Sequence, residues 1–216
     1  MVDMSSFHSV TIELHGGALT LAAVCIAIKV VDILWGRFLG EKGGRLRQGL
    51  KKASEYSTPT ILLASIFGVL GLILSGITGS YMLPVDTAMK SPISLNKIMV
   101  AIFATEFWGV LIATNVMFWE GAWKTRGTTV IMVASGGLGY AFSVIGGSLG
   151  GTMGGKVSIL EPMWELLGVD LHSSWVLPLE MLYALVAVVT VAGILLIVYS
   201  SKLAELVGSA RKVSDQ

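Results

Sequence analysis

Five long apolar runs make up most of this chain: Gly17 to Trp35, Pro59 to Leu83, Ile98 to Trp119, Thr128 to Leu149 and Val176 to Ser200. Each is long enough to cross a hydrocarbon core of about 30 Å as a helix, which takes about 20 residues. In lipid only helices or closed barrels satisfy their own backbone, and these runs lack the alternation of barrel strands. The expected fold is therefore all-α, an integral membrane bundle of five transmembrane helices forming one domain over residues 1–216. With 54% hydrophobic and 13% charged residues, little chain remains for an extramembrane domain. The lipid bilayer is the first partner, and the expected location is the cell membrane, multi-pass.

Basic residues orient the bundle. The connections after the first and third runs and the C-terminal tail share one side. Together they hold eleven of the fifteen Lys and Arg: Arg37, Lys42, Arg45, Arg47, Lys51, Lys52, Lys124, Arg126, Lys202, Arg211 and Lys212. The opposite side has Lys90, Lys97 and Lys156. The positive-inside rule puts the N-terminus outside and the C-terminus in the cytoplasm. Trp35, Trp119 and Trp123 then mark the inner interface, and Trp164 and Trp175 the outer one. Gly40 to Lys52 reads as a basic inner loop or surface helix. Ser91-Pro92 favours extended backbone before the third helix. Glu161 to Gly168, with Pro162 in its first turn, reads as a short interfacial helix on the outer side before the fifth span.

All three histidines, His8, His15 and His172, fall on the outer side. Glu13-Leu14-His15-Gly16-Gly17 opens the first helix, and Asp170-Leu171-His172-Ser173-Ser174 precedes the fifth. If those helices are neighbours, His15 and His172 can face each other as the axial pair of one b-type haem. Gly16 would clear space for the macrocycle, with Glu13 and Asp170 orienting the imidazoles. A copper ion held by His8, His15 and His172 is an alternative metal reading. So is a structural one, with the imidazoles bonded to headgroups, water or loops. No histidine lies on the inner side, so one haem near the outer leaflet is the most this chain can hold. The outer face lacks arginine, leaving Lys90, Lys97 or Lys156 for haem propionates.

Carboxylates inside a membrane point to function by default. Glu106, mid-way along the third span, is the candidate catalytic residue for proton handling or quinone contact, and Glu180 is a second candidate. Lys29 and Asp32, three apart on one helix, are expected to pair with each other. The lone Cys25 reads as a buried structural thiol.

Small residues recur every four positions on the fourth span: Ser135, Gly139, Ser143, Gly147, Gly151 and Gly155. Such a stripe lets another backbone approach closely. It serves packing within the bundle or against another membrane subunit, or Gly147 and Gly151 lie against a planar cofactor. The second span has a shorter version in Gly71, Ser75 and Gly79. From Gly146 to Gly155 the density of glycine favours fraying. No phosphate-binding, hydrolase or nucleic-acid motif stands in a workable context.

Two histidines seven apart leading into an apolar first helix, with Leu74-Ser75-Gly76-Ile77-Thr78-Gly79 ending the second, resemble a widespread group of small membrane proteins with an N-terminal histidine pair. The resemblance covers about the first 80 residues. It departs at Ser9, where a proline commonly follows the first histidine. It implies haem binding or service to a respiratory chain, and bears here on His8 and His15 alone. The functional expectation is a membrane subunit of a respiratory or redox complex, binding one b-type haem and exchanging electrons with quinone. The alternatives are a cofactor-free accessory subunit and a small transporter.

Overall fold

A computed structural model describes residues 3–40, 43–156 and 161–166, together with Gly168, Asp170, Ala184, Ala187, Val188, Thr190, Val191, Ile194, Leu195 and Val198. The described residues are helical almost throughout, in the order α1 (Met4–Phe38), α2 (Gly44–Met82), α3 (Val85–Ala88), α4 (Pro92–Phe118), a 3-10 turn (Trp119–Trp123), α5 (Arg126–Met153) and α6 (Glu161–Leu166). Four of these helices, α1, α2, α4 with its 3-10 extension, and α5, are long and apolar enough to cross a membrane. The fifth run, 176–200, lies outside the described residues except for single helical positions such as Val188, Val191 and Leu195.

Local chemistry sets the helix ends. The Asp3 carboxylate accepts from the Ser5 amide and opens α1, and Thr125 does the same for Thr128 at α5. Pro92 occupies the first turn of α4 behind an extended Ser91, as expected. The α1–α2 turn is made of glycine: Gly40, Gly43 and Gly44 all have positive φ. At Gly43 space is as demanding as φ, since a Cβ there would lie 2.8 Å from the Trp35 ring.

Several boundaries differ from the sequence reading. α1 begins at Met4, so His15 lies about three turns inside the helix and does not open it, and α4 begins at Pro92, before Ile98. The basic stretch after Gly43 is no separate loop or surface helix. It forms the first turns of α2, which runs on through Pro59 for 39 residues. Proline removes one backbone donor without forcing a break here, because the turns on both sides remain helical. At about 1.5 Å per residue α2 is roughly 58 Å long, so it overruns a hydrocarbon core of about 30 Å. The glycine-rich end of the fourth span also stays helical, to Met153.

The four long helices close a ring. α1 packs chiefly on α2, and α4 on α5, while α1 also meets α5 and α2 meets α4. A central core joins Leu19, Cys25, Ile26, Ile61, Trp108, Leu111 and Met132. Cys25 is buried within it, as a structural thiol should be. Outward faces carry Leu21, Val24, Leu63, Phe67, Leu70 and Val130. The interior also buries many polar side chains, among them Thr11, Ser57, Thr58, Ser65, Thr78, Asn96, Thr114 and Asn115. An apolar rim around a partly polar centre is what lipid outside and interhelical bonding inside select.

Candidate functional site

His8 and His15 are seven apart, two helical turns, and so lie on one face of α1 with Thr11 and Leu19. That face packs on the small residues of α2. A Cβ at Gly71 would lie 2.8 Å from the His15 Cβ, one at Gly79 3.3 Å from the His8 ring, and one at Gly68 2.2 Å from Leu19. The short glycine stripe of the second span therefore receives the histidine face of the first.

Each imidazole has one nitrogen committed. His15 Nδ1 donates to the Thr11 carbonyl oxygen at 2.8 Å. A carbonyl only accepts, so the proton sits on Nδ1. His8 Nδ1 lies 2.8 Å from Thr78 Oγ1. The Thr78 hydroxyl also lies 3.0 Å from the Leu74 carbonyl oxygen and 3.2 Å from that of Ser75, so either tautomer of His8 satisfies this contact. His15 alone thus presents a bare Nε2, the form a metal or haem iron requires. The orienting partner of His15 is Thr11, not the expected Glu13, which is exposed. Thr11 and Thr78 were not among the expected residues. For Thr11 the i−4 spacing from His15 was a readable signal, whereas nothing local connects Thr78 to His8.

Lys97, in the second turn of α4, shares this end of the bundle. Its Nζ reaches α5 and lies 3.1 Å from where a Gly150 Cβ would stand. Among the described residues no carboxylate lies within ion-pairing distance of it.

Glu106 is elsewhere. It borders a groove of about 410 Å³ between α2 and α4, lined also by Leu72, Ile73, Gly76, Ile102 and Thr105. Thr105 spends its hydroxyl proton on the Ala101 carbonyl. The half-buried Glu106 carboxyl has no hydrogen-bond partner among the described residues. At 100° per residue, Ile73 and Gly76 lie roughly 150° round α2 from Gly71. The groove and His15 are therefore on different sides of one helix at one depth.

The stripe on α5 is largely used inside the bundle. Gly139 abuts the Trp108 ring at 3.0 Å from a Cβ position, and the indole donates to Ser143 at 3.3 Å. Gly136 faces Ile26 and Leu111, and Gly146 faces Val100. Gly147 and Gly16 are exposed with nothing within 4 Å of a Cβ, and Gly151 meets only the Lys156 carbonyl. None of the three abuts a histidine. His172 and Glu180 lie outside the described residues, and among those described no group of three His, Cys, Asp or Glu side chains converges for a metal.

The expected Lys29–Asp32 pair does not form. Lys29 Nζ donates to Glu120 Oε2 at 3.0 Å and sits 5.9 Å from the Trp123 ring centre. Asp32 pairs with Arg47 of α2. Trp119, with φ +47, turns the chain so that Glu120 reaches Lys29 and Trp123 enters the core, with 8% exposure. The chain matches no protein-family model, and no curated protein or solved structure is significantly similar to it.

Proposed function

We propose that this chain is a membrane subunit of a redox complex that binds one b-type haem near the outer leaflet and exchanges electrons with quinone. The observation that carries the reading is the state of His15, whose Nδ1 proton is fixed on Thr11 while Nε2 is left as a bare donor. The residues present fit one side of such a group. His15 would supply one nitrogen to the iron and Lys97 the positive charge a propionate needs. His172, outside the described residues, is the proposed second ligand. The haem, when bound, would supply one-electron chemistry.

The rest is work for the chain's own side chains. Thr11 holds the His15 ring in one tautomer and orientation. Gly71 lets α2 approach close enough to lock it. Glu106, on a groove set within the spanning part of α2 and α4, would give or take a proton at a quinone oxygen. One helix, about 10 Å across, separates that groove from His15.

A dithionite-reduced minus oxidised spectrum of the protein in its native membrane tests the reading. A sharp α-band is expected, and its loss in both His15→Ala and His172→Ala. A featureless wild-type spectrum sinks it. One observation favours a second reading, the accessory subunit. Gly137 and Gly147 are exposed on α5 with open space before them, a surface for a helix of another membrane subunit.

A further inference from the structure

The 3-10 turn Trp119–Trp123 folds back into the bundle and does not simply cross between α4 and α5. Ala122 is fully buried, and it shares the central core with Trp123, Cys25, Ile26 and Ile61. The segment is held there against local strain. Trp119 has φ +47 and ψ −129, a conformation that glycine tolerates and a bulky side chain resists. Such strain persists only where the surroundings over-determine it. Among the described residues, side chains bond the segment to its neighbours at two points. Lys29 Nζ donates to Glu120 at 3.0 Å, and the Thr129 hydroxyl donates to the Ala122 carbonyl at 3.3 Å. Trp123 Nε1 is buried yet bonds to nothing among those described.

Behind this segment the bundle is polar. Asn115 lies one turn before Trp119, whose amide bonds to its carbonyl, and the Asn115 side-chain amide donates to the Thr58 carbonyl of α2 at 3.3 Å. Both residues are fully buried, and Thr58 Oγ1 and Asn115 Oδ1 have no hydrogen-bond partner among the described residues. Ser57, Thr105 and Thr114 each donate to the carbonyl one turn back, an outlet that Thr58 leaves unused. A buried polar atom left unbonded carries its full desolvation penalty, which water would remove. The closed arrangement therefore sets one ion pair and the burial of Ala122 and Trp123 against a strained backbone and three unbonded polar atoms.

We infer that Trp119–Trp123 is a plug that swings about Trp119 and admits water to Thr58 and Asn115, with the Lys29–Glu120 pair holding it shut. Opening relaxes Trp119 and gives Trp123 Nε1, Thr58 Oγ1 and Asn115 Oδ1 water as a partner. It gives up the ion pair and exposes Ala122 and Trp123. The plug operates independently of His15 and of any haem.

Cys25 is a native reporter, one turn from Lys29 on the same face of α1 and buried in the same core as Trp123. The full chain in phosphatidylcholine nanodiscs is treated with a charged methanethiosulfonate reagent, which modifies only thiols that meet water, and Cys25→Ser gives the blank. Modification should be slow in the wild type and about tenfold faster in Glu120→Gln, which removes the charge that holds Lys29. Trp119→Gly should react about fivefold more slowly than Trp119→Ala, because both lack the indole and only glycine takes a positive φ without strain. Gly71→Ala loosens the α1–α2 contact away from the plug and should leave the rate unchanged. Three results would each overturn the plug: equal rates in wild type and Glu120→Gln, equal rates in the two Trp119 variants, or the same acceleration in Gly71→Ala, which means exposure by general unfolding.

Discussion

The two ends of this bundle treat charge in opposite ways. At one end Lys29 meets Glu120, Asp32 meets Arg47, and Trp123 covers the lysine. At the other, Lys97 lies against Gly150 with no described carboxylate in an ion pair with it. A matched set of charges closes a structure, because each ion is already neutralised and nothing further is drawn in. An unmatched set leaves a free-energy deficit that a ligand can fill. The comparison locates a latch between α1, α2 and the 3-10 turn at the end that carries Lys29.

The sharpest way to break it is to orphan one charge in the latch. Asp32→Asn leaves the Arg47 guanidinium, whose side chain is 10% exposed, without its anion. A loss of about 3 kcal/mol is expected in reversible unfolding in mixed micelles. Lys97→Met, which orphans nothing, should move the same measurement by less than about 1 kcal/mol. Equal losses at both positions would erase the contrast.

Next in size is the close approach that builds the histidine face. Gly71→Ala places a methyl group 2.8 Å from the His15 Cβ, so α1 and α2 must separate. Overpacking of this kind costs about 1–3 kcal/mol. Gly76→Ala, at an open position on the same helix, serves as the control and should leave stability unchanged or slightly raised.

The smallest effect sharpens the tautomer argument. Thr78→Val removes the hydrogen-bond partner of His8 Nδ1 and should cost about 0.6 kcal/mol, typical of a side-chain hydrogen bond between membrane helices. Its clearer signature is in the nitrogen shifts of His8, which should move toward a mixed tautomer while those of His15 stay put. Unchanged His8 shifts would show that Thr78 does not set the proton.

Several of these features were legible beforehand to different depths. Gly71, Ser75 and Gly79 announced a face that something approaches, because four-residue spacing of small side chains flattens one side of a helix. They did not announce the guest, His15 and His8, which lies more than 50 residues away. The stripe on α5 was open in the same way. Its spacing allows packing within the bundle or against another subunit, and Trp108 takes Gly139 and Ser143 from within while Gly147 stays exposed. Glu106 stands out in the sequence as a carboxylate within an apolar run, but the groove it borders comes from the relative placement of α2 and α4. The extent of α2 was underestimated because a proline and a run of basic residues suggest a boundary, and helices adjoining a membrane tolerate both.

Sequence alone determined that the chain folds into helices long and apolar enough to cross a membrane, since long apolar runs leave the backbone no other way to bond itself in lipid. It also set which residues share a face, because 3.6 residues per turn is local geometry. Only the tertiary structure decided who meets whom. Lys29 and Asp32 are neighbours on one helix, yet antiparallel packing of α1 on α2 brought Arg47 to Asp32, and the turn at Trp119 brought Glu120 to Lys29. Partner choice is a non-local property: it depends on which helices pack and at what register, and no short window of residues encodes that.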